Sequence, residues 1–518
     1  MKEIGSFLKG EYVSDISACR QWYMDMDMSP EKSFSDHVCD MDTLYKALQN
    51  GFPPNRVYRS IAATGNLELL IHIFTSVWVK KSQYEIPFDT ESCANAAKGG
   101  HFECLRWLEE VGCPWDESTC SNAAKGGHLK CLEYAHENEC PWDEDTCERA
   151  AEGGHMKCLE FALENGCSGE SIVYGAALGG HLEIVKWATS KGYPSTSIYD
   201  GAAQGGHLDI LKWAHENSIP FTGSPKFYSA FHGNYECLKW TLKNVVNNTG
   251  PMSNIFEPQT GISAVQGGNI ECVRLALDNG FSLLESEVCA IAARNGNLEM
   301  LKFLRGNGCP FSEETCADAA EGGHLELLRW ARENGCPWDE KTCTGAARGG
   351  HLFLLKWVRQ NGCPWDEKTC AGAAGGGYLK ILSYLKSNGC PMDRKTHENA
   401  AGAGYLNIAK WVSKNGPLSG RAIHGAIKGG HVECVEWEIR NISVTNEEKK
   451  GHPAKRSSVC CAIAAEGGYL RILKLLHSHG FEMDEDTCFN AANGGHRDCL
   501  IWALENDCEI DQDNIDMF

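Results

Sequence analysis

Cys336-Pro337-Trp338-Asp339-Glu340-Lys341-Thr342-Cys343-Thr344-Gly345-Ala346-Ala347-Arg348-Gly349-Gly350-His351-Leu352 decides the fold, because the chain repeats it. The pattern Cys-Pro-Trp-Asp-Glu-x-Thr-Cys-x-x-Ala-Ala-x-Gly-Gly-His-Leu returns from Cys113, and from Cys363 with Tyr378 in the histidine slot. Anchoring each copy on the first residue of its Ala-Ala pair gives sixteen units, from Ile61 to Ala491. Most lie 26 to 28 residues apart. A fixed period of this size marks a solenoid, in which each unit packs only on its neighbours. Three wider gaps place short insertions near 76–90, 244–260 and 441–458.

Each unit reads as two short helices. Asp116 stands where an N-cap is needed, and Asp89, Asp143, Asp339, Asp366, Asp393 and Asp484 recur at that position. Thr119, Cys120, Ala123 and Ala124 then share one small face at helical spacing. Gly126-Gly127-His128 breaks the first helix and opens the second, whose apolar side carries Leu129, Cys131, Leu132, Tyr134 and Ala135. Asn165-Gly166 and Asn334-Gly335 supply a left-handed stop.

Ala319-Ala320-Glu321-Gly322-Gly323-His324-Leu325-Glu326 resembles the helix–turn–helix core of ankyrin repeats. The likeness covers roughly 61–508 and, faintly, 35–60. The usual ankyrin unit has about 33 residues, so some six are missing between one second helix and the next first helix. The Thr-Pro-Leu-His signature is replaced by Thr-Cys-x-x, as at Thr342-Cys343. The resemblance therefore implies an all-α, ankyrin-like helical-repeat solenoid with shortened or absent β-hairpin fingers. The expected organisation is an N-terminal segment 1–34 of unassigned role, an array over 35–508 with a degenerate first unit, and an acidic tail over 509–518.

The 518-residue chain carries a net charge of −21. Non-specific nucleic-acid binding needs a positive field, so nucleic acid is not expected as a partner. No signal peptide is apparent, and the most apolar run, Leu69–Val79, is too short to span a bilayer. We expect no membrane partner, a monomer, and a cytoplasmic or nuclear home.

Twenty-four of the 27 cysteines fall at three phases of the repeat. They stand three residues before the anchor (Cys93 to Cys488), eight after it (Cys104 to Cys499) or seventeen after it (Cys113 to Cys508). Equivalent residues of stacked units lie roughly 8–10 Å apart, and a disulfide needs Cα atoms within about 7 Å. Equivalent cysteines cannot pair along the stack, and no Cys-x-x-Cys suggests zinc. The thiols read as small core residues.

Nine histidines occupy the Gly-Gly-His slot, where Asn and Tyr also occur. That substitution pattern fits a turn or capping role rather than metal binding or catalysis. Tryptophans such as Trp107, Trp330 and Trp357 recur midway along the second helix and are expected in the core. The connector tryptophans Trp115, Trp142, Trp338 and Trp365 either pack together or present a row to a partner. Two residues after the anchor the sequence varies, reading Lys98, Lys125, Glu152, Gln204, Gln266, Arg294, Glu321 and Arg348. Ankyrin-like stacks bind along this inner face, so the resemblance places candidate partner-binding residues there. No catalytic set, cofactor or metal is expected, because every candidate acid, base or nucleophile is either phased or isolated. The expected function is a protein–protein interaction scaffold binding on its concave face. The alternative is an adaptor whose segment 1–34 recruits other machinery, such as a ubiquitin-ligase component.

Overall fold

Asp339 shows how each first helix begins. Its backbone is extended, and its carboxylate accepts the Lys341 N–H. Asp116, Asp143, Asp366, Asp393 and Asp484 cap their helices in the same way. Asp89 does not; its carboxylate instead takes the Arg59 guanidinium at 2.7 Å. At the other end of each unit, Gly335 and Gly166 hold φ of 82° and 89°, as the Asn-Gly stops require. Glu139 and Ser218 occupy that left-handed position without being glycine.

The computed structural model describes residues 54–74, 88–244, 258–282, 287–448, 458–506 and 508. Sixteen helix pairs run through them, from Pro54–Thr64 with Leu67–Ile73 to Glu485–Asn493 with Arg497–Glu505. Every sequence anchor falls within a first helix. No strand occurs among the described residues, so the ankyrin-type finger is absent there. The fold is an all-helical repeat stack. Segments 1–34 and 509–518 lie outside the described residues, as do most of the insertions at 76–90 and 244–260. The third insertion starts as a continuation of its second helix, Val432–Glu448, which reaches 17 residues.

The chain divides into two compact units, Met1–Phe281 and Ser282–Phe518. Within each, the broadest contacts join successive first helices, and second helices touch less. The cause is side-chain size. Thr342, Cys343, Gly345, Ala346 and Ala347 are all buried, and none holds the neighbouring helix far off. Gly345 shows the limit: a Cβ there would sit 2.4 Å from the Ala317 carbonyl oxygen. The position just before the anchor is therefore, at this repeat, a backbone-to-backbone contact.

All 24 phased cysteines are buried and reduced. The mid-helix tryptophans are less deep than expected. Trp107, Trp330 and Trp357 are half-buried, each lying at the edge of its repeat. Trp357 packs edge-on against Trp338, the aromatic of the connector that leads into its own repeat, with centroids 6.2 Å apart. The fully buried positions of the second helix belong to Leu354, Leu355 and Val358. An indole is too wide for the space between two closely stacked units and remains at the rim.

Candidate binding groove

The histidine slot fixes one repeat to the next. His351 sits at the start of its second helix, yet its side chain caps nothing there. Its Nε2 reaches back 3.0 Å to the Glu321 carbonyl oxygen, two residues past the anchor of the preceding repeat. His101, His181, His207, His324 and His496 make the equivalent bond to Ala63, Glu152, Leu178, Arg294 and Glu466. Asn234 donates to Ala203 and Gln204, and Tyr469 to Lys428. A ring or amide N–H, or a phenol O–H, thus satisfies an orphan carbonyl at a helix C-terminus. The ring lies across the second glycine of the previous pair; a Cβ on Gly127 would meet His155 at 2.4 Å, and its φ of +73° excludes most L-residues in any case. The expected turn role holds, but it acts between repeats rather than within one.

The same bond holds the residue two past the anchor, and so the inner row. The row's side chains pair with one another. Lys125 meets Glu152 of the next repeat at 2.8 Å, and Arg149 meets the same carboxylate at 2.8 Å. Burial alone would raise the Glu152 carboxyl, but the hydrogen bonds from Lys125 and Arg149 outweigh it and hold the group below the usual range. In the second unit, Arg348 lies 3.5 Å from Glu321, Arg294 2.7 Å from Asp318, and Lys341 2.6 Å from Glu314. Burial pushes the Asp318 carboxyl up despite Arg294. These exposed pairs add little stability.

In the second unit the row borders a groove of about 830 Å³ spanning Glu287 to Asn399. Its floor is small, with Ala317, Gly345, Ala371 and Gly372. Its walls carry five basic side chains, Arg294, Lys341, Arg348, Lys368 and Lys395, and five acidic ones. Of the sequence candidates, Arg294, Glu321 and Arg348 line this groove together. Lys98, Lys125, Glu152, Gln204 and Gln266 belong to the other unit. There Lys98 is exposed and Gln204 accepts from the Tyr174 hydroxyl. Lys341, Lys368 and Lys395, which extend the groove, follow the N-cap by two residues and were missed by the sequence reading. Their signal was a lysine recurring at one phase in three consecutive repeats.

The connector tryptophans are half-buried and already engaged. The Arg332 guanidinium lies 4.3 Å from the Trp338 ring centre, and Arg359 stands in the same relation to Trp365. His136 stacks on Trp142 at 4.0 Å. Each such ring is clamped between a cation or imidazole of the preceding second helix and an aromatic of the following one. None of them lines the groove. Packing therefore accounts for Trp142, Trp338 and Trp365; Trp115 is half-buried against the core of the first unit.

No family model matches the chain, and no curated protein does. Among solved structures, the chain is similar to the pentatricopeptide repeat protein PPR10 from maize, at 12% identity and a TM-score of 0.26, covering 90% of this chain and 80% of that one. PPR10 in complex with an 18-nt psaJ RNA element gives 11% identity and a TM-score of 0.26, covering 95% and 82%. A cysteine-to-serine variant of PPR10 with the same element gives the same values.

The expectation of a protein partner, with nucleic acid unlikely, is corrected by this comparison: two of the three neighbours are RNA complexes. The exclusion of nucleic acid rested on the charge of the whole chain. The groove itself is balanced in charge, so a net −21 does not describe it.

Proposed function

We propose that this chain is a non-catalytic binding scaffold of ankyrin-like descent, and that its ligand seat is the groove from Glu287 to Asn399. One observation carries the reading: consecutive repeats bring basic and acidic side chains to a single groove with a floor of alanine and glycine. Such a floor admits a backbone closely, and the walls offer donors and acceptors at one repeat's spacing. The ligand this suits is an extended chain that crosses the repeats and meets each in turn. The ankyrin assignment is supported by Ala-Ala-x-Gly-Gly-His-Leu at the helix–turn–helix core, as at Ala319–Leu325.

Single-stranded RNA is the first ligand to try. Its phosphates would take Arg294, Lys341, Arg348, Lys368 and Lys395, and its exocyclic amines would take the carboxylates. Fluorescence anisotropy of a labelled random-sequence RNA pool, titrated with the full chain, tests this directly. Saturable binding should weaken at least tenfold in Lys341→Glu/Arg348→Glu, two exposed residues whose exchange leaves the core untouched. Absence of saturable binding would remove RNA from the reading. Binding indifferent to both substitutions would move the seat elsewhere.

A further inference from the structure

Cysteines at equivalent phases of neighbouring repeats are too far apart to meet. The structure brings two different phases together. Cys289, three before its anchor, and Cys309, seventeen after it, face each other with sulfurs 2.6 Å apart. The same two side chains interact in all eight repeats that carry both, including Cys147 with Cys167 and Cys343 with Cys363. The reason is the fold-back of the connector. After the second helix the chain returns to the start of its own first helix, where the Cys363 thiol also donates to the Asp339 carbonyl at 3.2 Å.

These two positions share one packing space, and other repeats fill it jointly. Gly261 stands opposite Phe281, whose ring a Cβ at 261 would meet at 2.0 Å. The Tyr199 hydroxyl donates to the Ile219 carbonyl. Wherever a cysteine follows its anchor by seventeen, a cysteine also stands three before that anchor. A space that needs only filling would accept one thiol opposite an alanine or valine. That arrangement never occurs opposite the later cysteine. Cysteines eight past the anchor, such as Cys131, show no such partner phase. Among the described residues no group of three or more potential ligands could hold a metal, so a closed tetrahedral site does not explain the pairs.

We propose that these eight facing thiol pairs are sites of reversible disulfide formation, taking a low-molecular-weight disulfide such as oxidised glutathione as oxidant. One thiol of a pair loses its proton and attacks a sulfur of the oxidant, releasing one molecule of reduced glutathione. The facing thiol then loses its proton and displaces the second. Each pair gives up two protons and two electrons, and one oxidant becomes two thiols. The product closes a helical pair on itself across twenty residues and links no repeat to its neighbour. The hydrogen bond to the facing thiol, and then burial, push one member of a pair such as Cys147 or Cys343 up from its ordinary range, so reaction proceeds through local opening of a repeat. Pairs with a less deeply buried member, such as Cys147–Cys167 with Cys167 at 8% exposure, react before fully enclosed ones such as Cys343–Cys363.

The test is non-reducing peptide mapping of the full chain after incubation with oxidised glutathione, in buffer and again in sub-denaturing urea. The expected products are links between cysteines twenty apart, each with the loss of two hydrogens. Cys131, Cys158 and their equivalents should remain alkylatable, and native-state hydrogen exchange from the linked repeats should slow. In Cys363→Ala, Cys343 should be left free or glutathionylated while the other links form unchanged. Links at other spacings, glutathione adducts without links in the unmutated chain, failure to link in either condition, or unchanged or faster exchange in the linked repeats would overturn the proposal.

Discussion

His397 and Glu438 break the repeat rule together, and the breach sets a measurable energy. His397 stands where neighbouring repeats carry Cys370 or Cys343. Glu438 stands where they carry Val358, Leu385 or Val412. Both side chains are buried, at 1% and 5% exposure, and Nε2 lies 3.0 Å from a Glu438 carboxylate oxygen. The other ring nitrogen accepts the Ser419 N–H at 3.2 Å, which fixes the ring with Nε2 facing the carboxylate, although neither of those two facing atoms completes a hydrogen bond. Removing one member strands the other in an apolar interior. Such stranding costs about 1–3 kcal/mol for a polar group and about 3–5 kcal/mol for a charge. We therefore expect about 2–4 kcal/mol from either Glu438→Ala or His397→Cys. Replacing a buried polar pair by apolar residues is neutral or stabilising. The double variant, whose Cys and Ala match Cys316 and Ala331 of another repeat, should thus match or exceed the unmutated chain. Native-state hydrogen exchange is the appropriate assay, because a long array does not unfold in one step. Amides of Arg394–Gly402 and Leu406–Asn415 should lose protection by roughly 30- to 1000-fold in each single variant and regain it in the double. Equal losses in the single and double variants would refute the reasoning.

Other consequences can be tested in the same way. Glu139 and Ser218 hold φ of 61° and 55° where other repeats use glycine; Glu139→Gly and Ser218→Gly should each stabilise their repeat by about 0.5–1 kcal/mol in urea-dependent exchange. The reverse change, Gly335→Ala, meets no atom within 4 Å and should cost about 1 kcal/mol from φ alone. Burial, then the neighbouring His128 and His181, depress the pKa of His155. The folded state therefore binds the proton less readily than the unfolded chain. Its contribution is complete above the ordinary histidine value and declines as pH falls through the depressed one. Exchange from Met156–Glu164 should rise on acidification below about pH 6.5, and His155→Asn should flatten that rise. Trp338→Ala removes a half-buried ring held by Arg332 and Trp357 and should cost about 1–2 kcal/mol. A near-zero cost by the same exchange measurement would mean that the ring is free for a ligand.

Much of this architecture was readable one repeat at a time. Asp339, the Asn334-Gly335 stop and the Ala346-Ala347 face act over a few bonds, so spacing alone located both helices of each pair. The histidine slot was legible as a turn but not as a bond, since the carbonyl it reaches lies about thirty residues earlier. The inner row was legible as variable. Its pairing of Lys125 with Glu152 was not, because variability looks the same whether a side chain is free or matched to its neighbour.

The sequence by itself determined the period, the helix boundaries, the absence of room for a hairpin finger and the small buried face. These follow from local propensity and side-chain size, repeated until chance is excluded. Only the tertiary structure decided which phases meet: thiol with thiol across twenty residues, His397 with Glu438, imidazole with the preceding repeat's carbonyl. Those meetings depend on the angle at which the connector folds back and on the distance between stacked helices. Neither quantity is written in a spacing.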